Sequence, residues 1–181
     1  MTDTVTLDTA LGSIALRIER AEDVDFLYDV FSSHTLPGLA VLPMDEAIKV
    51  SLVRMQFKSQ TATYRALHPN GRFAILERDG VAIGRLVVDE VDGIATIVDL
   101  ALLPDARGGG IGSALMTSLL EWLSQRCRAV RCTVLCTNVA SLRMCERVGF
   151  VRVGEQLPHV ELEWQGPIER PGVRLGVNGS G

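Results

Sequence analysis

The stretch Leu100-Ala-Leu-Leu-Pro-Asp-Ala-Arg-Gly-Gly-Gly-Ile-Gly-Ser-Ala-Leu115 holds the residues whose types and spacing point most directly to chemistry. An apolar strand ends at Pro104, a short turn carries Arg107, and glycines at 108, 109, 110 and 112 open a helix. The first amides of a helix lack intrahelical partners and lie at the positive end of its dipole, so this start is an anion site. Glycines let phosphate oxygens approach those amides without meeting a Cβ. Arg107 can add charge-assisted hydrogen bonds. A flexible glycine turn with no ligand would have the same composition. Two rival glycine motifs fail. The chain contains no Gly-Lys, which a P-loop needs, and Ser113 occupies the last position of a Gly-x-Gly-x-x-Gly match begun at Gly108.

The elements around this turn follow from hydrophobic periods. Ile14, Leu16 and Ile18 alternate with polar or small residues as a half-buried strand. Val24 to Ser33 is apolar at helical spacing and follows the acidic pair Glu22 and Asp23, which suits a helix start. Asp45 to about Leu67 reads as a longer helical region, in which Gln56, Gln60 and Tyr64 form a single stripe. Phe73–Glu77 and Val81–Asp89 are strands joined by Asp79-Gly80, a hairpin signal. Asp92-Gly93 turns the chain into a mostly apolar central strand from Ile94 to Leu103. A helix from about Gly110 to Arg126, a strand from Val130 to Cys136 and a short helix from Val139 to Val148 follow. Phe150–Val153 and Val160–Trp164 close the body as strands. The order β-α-α-β-β-β-α-β-α-β-β predicts a mixed, mostly antiparallel α/β (α+β) sheet with flanking helices, and not a doubly wound one. Residues 1–13 are expected to be a flexible start, 14–165 the domain, and 166–181, with five Gly and two Pro, a loose tail.

With 181 residues and 47% apolar content, the chain can bury a sizeable core and is not intrinsically disordered. A net charge of -4 gives no nucleic-acid footprint and mildly favours a cationic partner. No stretch approaches the ~20 apolar residues of a membrane span, and the start lacks the order of a signal peptide. Cys127, Cys132, Cys136 and Cys145 form no Cys-x-x-Cys pair. Cys132 and Cys136 on one strand face would stand roughly 13 Å apart, too far for a disulfide. Only three His are present, far apart, so no metal is expected. Reduced cysteines in a cytoplasmic protein are the expectation, with a homodimer left open.

Thirty-one residues after Arg107 comes Asn138-Val-Ala-Ser-Leu-Arg-Met-Cys-Glu-Arg-Val-Gly-Phe150. Together the two blocks resemble the GCN5-related N-acetyltransferase (GNAT) superfamily. Arg107, Gly110 and Gly112 meet its Arg/Gln-x-x-Gly-x-Gly/Ala motif; Asn138, Ser141, Gly149 and Phe150 meet its Asn-x-x-Ala/Ser, helix, Gly-Phe motif. The resemblance spans roughly Ile14 to Trp164.

The resemblance implies an acetyl-CoA co-substrate in a cleft where two central strands splay apart. The amides from Arg107 through Gly108, Gly109, Gly110, Ile111 and Gly112, with Ser113, should hold the pyrophosphate. Leu100, Ala101 and Leu102 should run beside the pantetheine, and one amide of this strand should face the acyl oxygen as an oxyanion donor. Asn138 suits a helix N-cap and, by the resemblance, also touches the cofactor region. Cys145 stands where many members carry a tyrosine that protonates the departing CoA thiolate. A thiol can donate, but it is several ångströms shorter, so Cys145 better suits packing, with an ordered water, Tyr64 or Tyr28 as substitute donors. Asp99 is either the base that relays the amine's proton or a structural carboxylate; His159, Glu161 and Glu163 are weaker candidates for the base. Gln56, Gln60 and Tyr64 are the acceptor-side candidates, offering neutral hydrogen bonding, although a tethered helix explains them too. The implied activity is acetyl transfer to a primary amine of a small molecule or of a protein or peptide, by direct attack. The alternative is a catalytically weak acyl-CoA-binding regulatory module.

Overall fold

The computed structural model describes residues 4–166. Strands β1 (Thr4–Thr9) and β2 (Gly12–Ile18) precede helices α1 (Val24–Leu39) and α2 (Glu46–Leu67). Strands β3 (Arg72–Arg78), β4 (Val81–Val91) and β5 (Ile94–Leu102) follow. After α3 (Ile111–Ser124) come β6 (Ala129–Leu135), α4 (Val139–Arg147), β7 (Val151–Gln156) and β8 (His159–Trp164). The eight strands form one sheet in the order β1-β2-β3-β4-β5-β6-β8-β7. Every neighbouring pair is antiparallel except β5 and β6. The expected mixed, mostly antiparallel sheet with flanking helices is the observed one.

Two expectations are corrected. Residues 1–13 are not simply a loose start, because Thr4–Thr9 pairs with β2 and buries Leu7. Its apolar residues, Val5 and Leu7, are too few to show an alternation, and pairing with β2 supplies what periodicity does not. Helix α1 runs past Ser33 to Leu39 with Pro37 inside it. Ser33 and Thr35 return their hydroxyls to the carbonyls of Val30 and Phe31, so the polar stretch stays helical. The tail reading for 167–181 lies outside the described residues.

Local chemistry sets the turns. Asp79-Gly80 and Asp92-Gly93 both adopt positive φ at each residue, the backbone that a tight hairpin with native twist requires. The Asp45 carboxylate caps α2 by accepting from the Ala47 N–H at 2.8 Å. Alternation along β3 divides the core. Ala74 and Leu76 face the larger cluster under α3 and α4, and Ile75 faces the opposite layer with Leu27 of α1 and Phe57 of α2. On α3, Leu115, Leu119 and Leu123 are fully buried along one stripe.

The β5–β6 pairing is short. It runs from Ile94 opposite Ala129 to Ile97 opposite Cys132 and then stops. Beyond that point β5 stays with β4 as far as Gly84 opposite Leu102, while β6 stays with β8 as far as Leu135 opposite His159. The divergence begins at a β-bulge, because Val98 is the extra residue between the pairs Val88–Ile97 and Val87–Asp99. Gly84 lets β4 follow β5 closely there: a Cβ at this position would lie 2.3 Å from the Ala101 carbonyl oxygen.

Leu119→Ala should lower the unfolding free energy by about 2–5 kcal/mol, the range for emptying a fully buried leucine site. Urea denaturation at constant m-value measures it.

Candidate active site

The gap between β5 and β6 opens into a cleft of about 760 Å³. One wall is β5 from Ile97 to Leu102; the facing wall is β6 from Cys132 to Leu135. The start of α3 and the inner side of α4 close its end. Arg107, Gly108, Gly110, Gly112, Ser113, Leu100, Leu102, Asn138, Asp99 and Cys145 all line it. Ala101, Gly109 and Ile111 do not. Ala101 alternates to the other face of β5, and Ile111 packs onto the core.

The turn before α3 is an array of free donors. Among the described residues no backbone acceptor takes the amides of Gly108 to Ser113, and the first bond of α3 runs from Ala114 to Gly110. Gly108 and Gly110 sit at φ +82, and nothing lies within 4 Å of where a Gly108 Cβ would be. Such a cradle fits a diphosphate. Arg107 differs from its sequence assignment in detail. Its own amide donates to Pro104, so it is not a free donor. Its side chain donates from Nε to the Leu102 carbonyl (2.8 Å) and from Nη2 to Ser33 Oγ (2.8 Å) and His34 Nε2 (2.9 Å). Accepting there requires neutral His34, and burial together with the Arg107 charge lowers its pKa accordingly. Arg147 on α4 reaches the cradle instead, donating to Ser113 Oγ at 3.2 Å. No sequence signal marks His34 and Arg147, because both lie far along the chain from the glycine turn. Asn138 caps α4, its Oδ1 accepting from the Ser141 N–H at 3.1 Å, and the residue also lines the cleft.

On the α2 side the cleft meets a groove of about 580 Å³ between α1 and α2. Gln56, Gln60 and Tyr64 line this groove together, and Gln60 and Tyr64 also line the cleft. The remaining wall residues, Phe31, Thr35, Met55, Ser59 and Thr63, carry no charge. Where groove and cleft join, Asp99 faces Arg85, with Nη1 3.6 Å from the carboxylate. Arg85 is almost fully buried and also approaches Glu19 at 3.8 Å, while Arg65 bonds Glu19 at 2.7 Å. The longer two separations are ion contacts, and Arg85 Nε and Nη2 have no hydrogen-bond partner. Burial pushes the Asp99 carboxyl above the ordinary carboxylate range, against the opposing pull of Arg85. Burial and the neighbouring Asp99 charge raise the Tyr64 phenol.

The other candidates separate. His159 lines the cleft. Glu163 instead pairs with Arg131 at 2.7 Å outside it, and Glu161 lies against Gly154. Tyr28 packs edge-on against Phe57 under Arg54, away from the cleft. Cys145 is buried at the cleft floor beside Cys132. The hydrogen bond to Cys145, with burial, holds the Cys132 thiol well above its ordinary range, and the same bond favours the thiolate at Cys145.

A family model described as the acetyltransferase (GNAT) family matches residues 39–150, which include both the glycine turn and the Asn138 block. The chain belongs to the GNAT acetyltransferase family. GNAT enzymes use acetyl-CoA as co-substrate, so this protein is an acetyltransferase and not merely a relative in shape. A binding-only module is not favoured. No curated protein matches the sequence. Among solved structures, the PaiA N-acetyltransferase of Thermoplasma acidophilum in complex with coenzyme A aligns with TM-score 0.64 at 16% identity, over 84% of this chain and 98% of that one. An acetyltransferase from Thermus thermophilus aligns with TM-score 0.61 at 19% identity, over 83% and 96%. The ribosomal-protein-S18-alanine N-acetyltransferase of Escherichia coli aligns with TM-score 0.57 at 16% identity, over 83% and 90%. Likeness at these identities is likeness of fold. No helix among the described residues is long and apolar enough to cross a membrane.

Gly110→Val should raise the Kd for acetyl-CoA by at least about tenfold, a loss of about 1.4 kcal/mol. Gly80→Val is the control: it carries the same positive-φ strain at φ +76 on a remote hairpin. Calorimetric titration of both variants should show weakened binding only at position 110; equal affinities would refute the cradle.

Proposed function

We propose that this GNAT enzyme is an N-acetyltransferase whose acceptor is a primary amine on an uncharged body, entering along the groove between α1 and α2. The observation that carries this reading is the junction itself. A groove walled by neutral side chains opens at Gln60 and Tyr64 onto Asp99, the one carboxylate among the described residues that lines the cleft. Gln56 and Gln60 offer amide donors and acceptors to the acceptor's body, and Phe31 and Met55 give it apolar contact. The overall charge of -4 is therefore a poor guide to the acceptor, because none of it stands on the groove wall.

Gly108, Gly110, Gly112 and Ser113, supported by Arg147, are the groups to hold the coenzyme pyrophosphate, with Asn138 at the side. Leu100 and Leu102 line the arm of the cleft that suits pantetheine. Acetyl-CoA supplies an acyl group activated as a thioester. Asp99 acts as general base, taking a proton from the acceptor ammonium directly or through one water, which frees the nitrogen lone pair. Unpaired N–H donors on the open edge of β5 stabilise the negative charge that grows on the acyl oxygen as the nitrogen adds. Both substrates bind together, so no acyl group needs to rest on the protein.

The sign of the pH dependence follows from the base. Asp99 works ionised, and its folded pKa lies above the ordinary value of 3.8. kcat/KM should therefore rise with pH along an acid limb displaced upward from that value. Asp99→Asn should lower kcat by about 10²–10⁴-fold and remove this limb, with acetyl-CoA binding unchanged. Thiol release with a panel of amines tests the acceptor class. Amines on hydroxylated, amide or apolar bodies should turn over, whereas polyamines and free amino acids should be poor; the reverse ranking would refute the uncharged-body reading.

A further inference from the structure

Helix α1 borders both halves of the site. Phe31 and Thr35 wall the groove, and between them Ser33 and His34 reach the turn that precedes α3. Their target is Arg107, the residue just before the first free amide of the cradle. Arg107 Nε donates to the Leu102 carbonyl at 2.8 Å, and Nη2 donates to Ser33 Oγ at 2.8 Å and to His34 Nε2 at 2.9 Å. That carbonyl belongs to the open edge of β5. Leu103 bonds Ile83 of β4, and bonded and unbonded pairs alternate along an antiparallel ladder. Leu102, opposite Gly84, therefore turns its carbonyl away from β4. His34 Nε2 also stands 3.2 Å from it. Acetyl transfer by direct attack gives His34 no part.

We propose that His34 is a positioning residue of the coenzyme cradle: as a neutral ring it holds Arg107 on the Leu102 carbonyl and so fixes the turn that presents the amides of Gly108 to Ser113. The proposal rests on the reading of that turn as the pyrophosphate site. A guanidinium carries donors only, so Nε2 must be bare to receive it, with the ring proton on Nδ1. Ser33 supplies a second acceptor from the same helix. With Nε and Nη2 engaged, Arg107 anchors the turn to β5 and α1 instead of reaching for the phosphates. Arg147 stands on the cradle side, through Ser113.

Protonation reverses the contact. A ring with protons on both nitrogens offers Arg107 a donor and a like charge, and its Nε2–H competes for the Leu102 carbonyl that Arg107 holds. Among the described residues Arg107 is the one charged group bonded to the ring. One turn away along α1, Val30, Phe31, Pro37 and Gly38 are uncharged. From the other cleft walls the titratable or charged groups are Tyr64 of α2, Asp99 of β5, Cys132 of β6, Cys145 and Arg147 of α4, and His159 of β8. None of these is hydrogen-bonded to His34. Burial and then the Arg107 charge hold the ring below its ordinary 6.5. The neutral, holding form therefore prevails at neutral pH and is lost only as the pH falls below that value.

Calorimetric titration of acetyl-CoA into the full chain is the test. His34→Leu, which removes the acceptor, should raise the Kd at least about tenfold, the cost of losing one hydrogen bond to a charged group. His34→Gln, whose side-chain oxygen replaces Nε2, should bind within about threefold of the unmodified chain at about pH 8. As the pH falls toward about 5, the unmodified chain should weaken relative to His34→Gln, because only its ring titrates. The ratio of the two cancels the ionisation of the coenzyme itself. In an Arg107→Met background His34→Leu should add little, since its partner is already gone. Equal weakening by Leu and Gln, or a ratio that does not change with pH, would overturn the proposal. So would tighter binding in His34→Leu, the mark of a released Arg107 that turns to the phosphates. Should His34→Leu not fold, the pH ratio with His34→Gln decides alone. An unmodified chain that does not bind acetyl-CoA rejects the cradle and the positioning role together, whereas intact binding that is indifferent to His34→Leu rejects the positioning role alone.

Discussion

The site depends on a hydrogen-bond ladder that stops. Two adjacent parallel strands would ordinarily pair along their whole overlap, because a buried unpaired peptide group costs about 1–3 kcal/mol. Here β5 and β6 pair only through Ile97 and Cys132, after which each is retained by its outer neighbour. The extra residue at Val98 sets the bend. β8, inserted between β6 and β7, satisfies the far side of β6 and holds it out of line with β5. The unpaired edge of β5 is thus available to a ligand with peptide-like donors and acceptors. The free amides at the start of α3 lie at one end of the same opening. One interruption in pairing therefore supplies both the space and the polar edge.

A second constraint is charge burial. Arg85 lies between Glu19 and Asp99, at ion-contact distances and away from solvent. Such an arrangement is weak evidence for stability, since desolvation offsets most of the attraction; removing one member of a buried pair costs about 3–5 kcal/mol. Its effect on the site is clearer. Arg85 opposes the rise that burial imposes on the Asp99 carboxyl. Arg65 neutralises Glu19 from the other side at 2.7 Å, so Arg85 is not wholly committed to it.

The strongest sequence signals are local ones. Asp-Gly turns, the glycine-opened helix and the apolar stripe of α3 each carry their meaning within a dozen residues, and the structure has them all. The Gln56, Gln60 and Tyr64 stripe is legible for the same reason, and it lies on a groove wall as one face of α2. What escapes the sequence depends on contacts distant along the chain. β1 has two apolar residues and becomes a strand through its partner β2. The continuation of α1 is masked by Ser32-Ser33-His34-Thr35 and by Pro37-Gly38, all of which resemble a stop. Arg85 is buried with its guanidinium 5.8 Å from the ring of Tyr64 on α2, a contact between residues distant along the chain. His34 and Arg147 join the cleft from α1 and α4, and no spacing rule connects either to residues 107–113. Arg107 carries the opposite lesson: its motif position is plain, but its donors are engaged with Leu102, Ser33 and His34.

Position 84 has no room for any side chain, because the Ala101 carbonyl occupies the space that a Cβ would need. That carbonyl belongs to the strand that forms the cleft wall. Steric pressure at position 84 would thus emerge on the opposite side of β5, as a displaced wall rather than a local defect. In a screen of variants scored by coenzyme affinity, this glycine would rank among the ligand contacts although it touches no ligand. Proximity to the coenzyme and importance for holding it are separate properties in this fold.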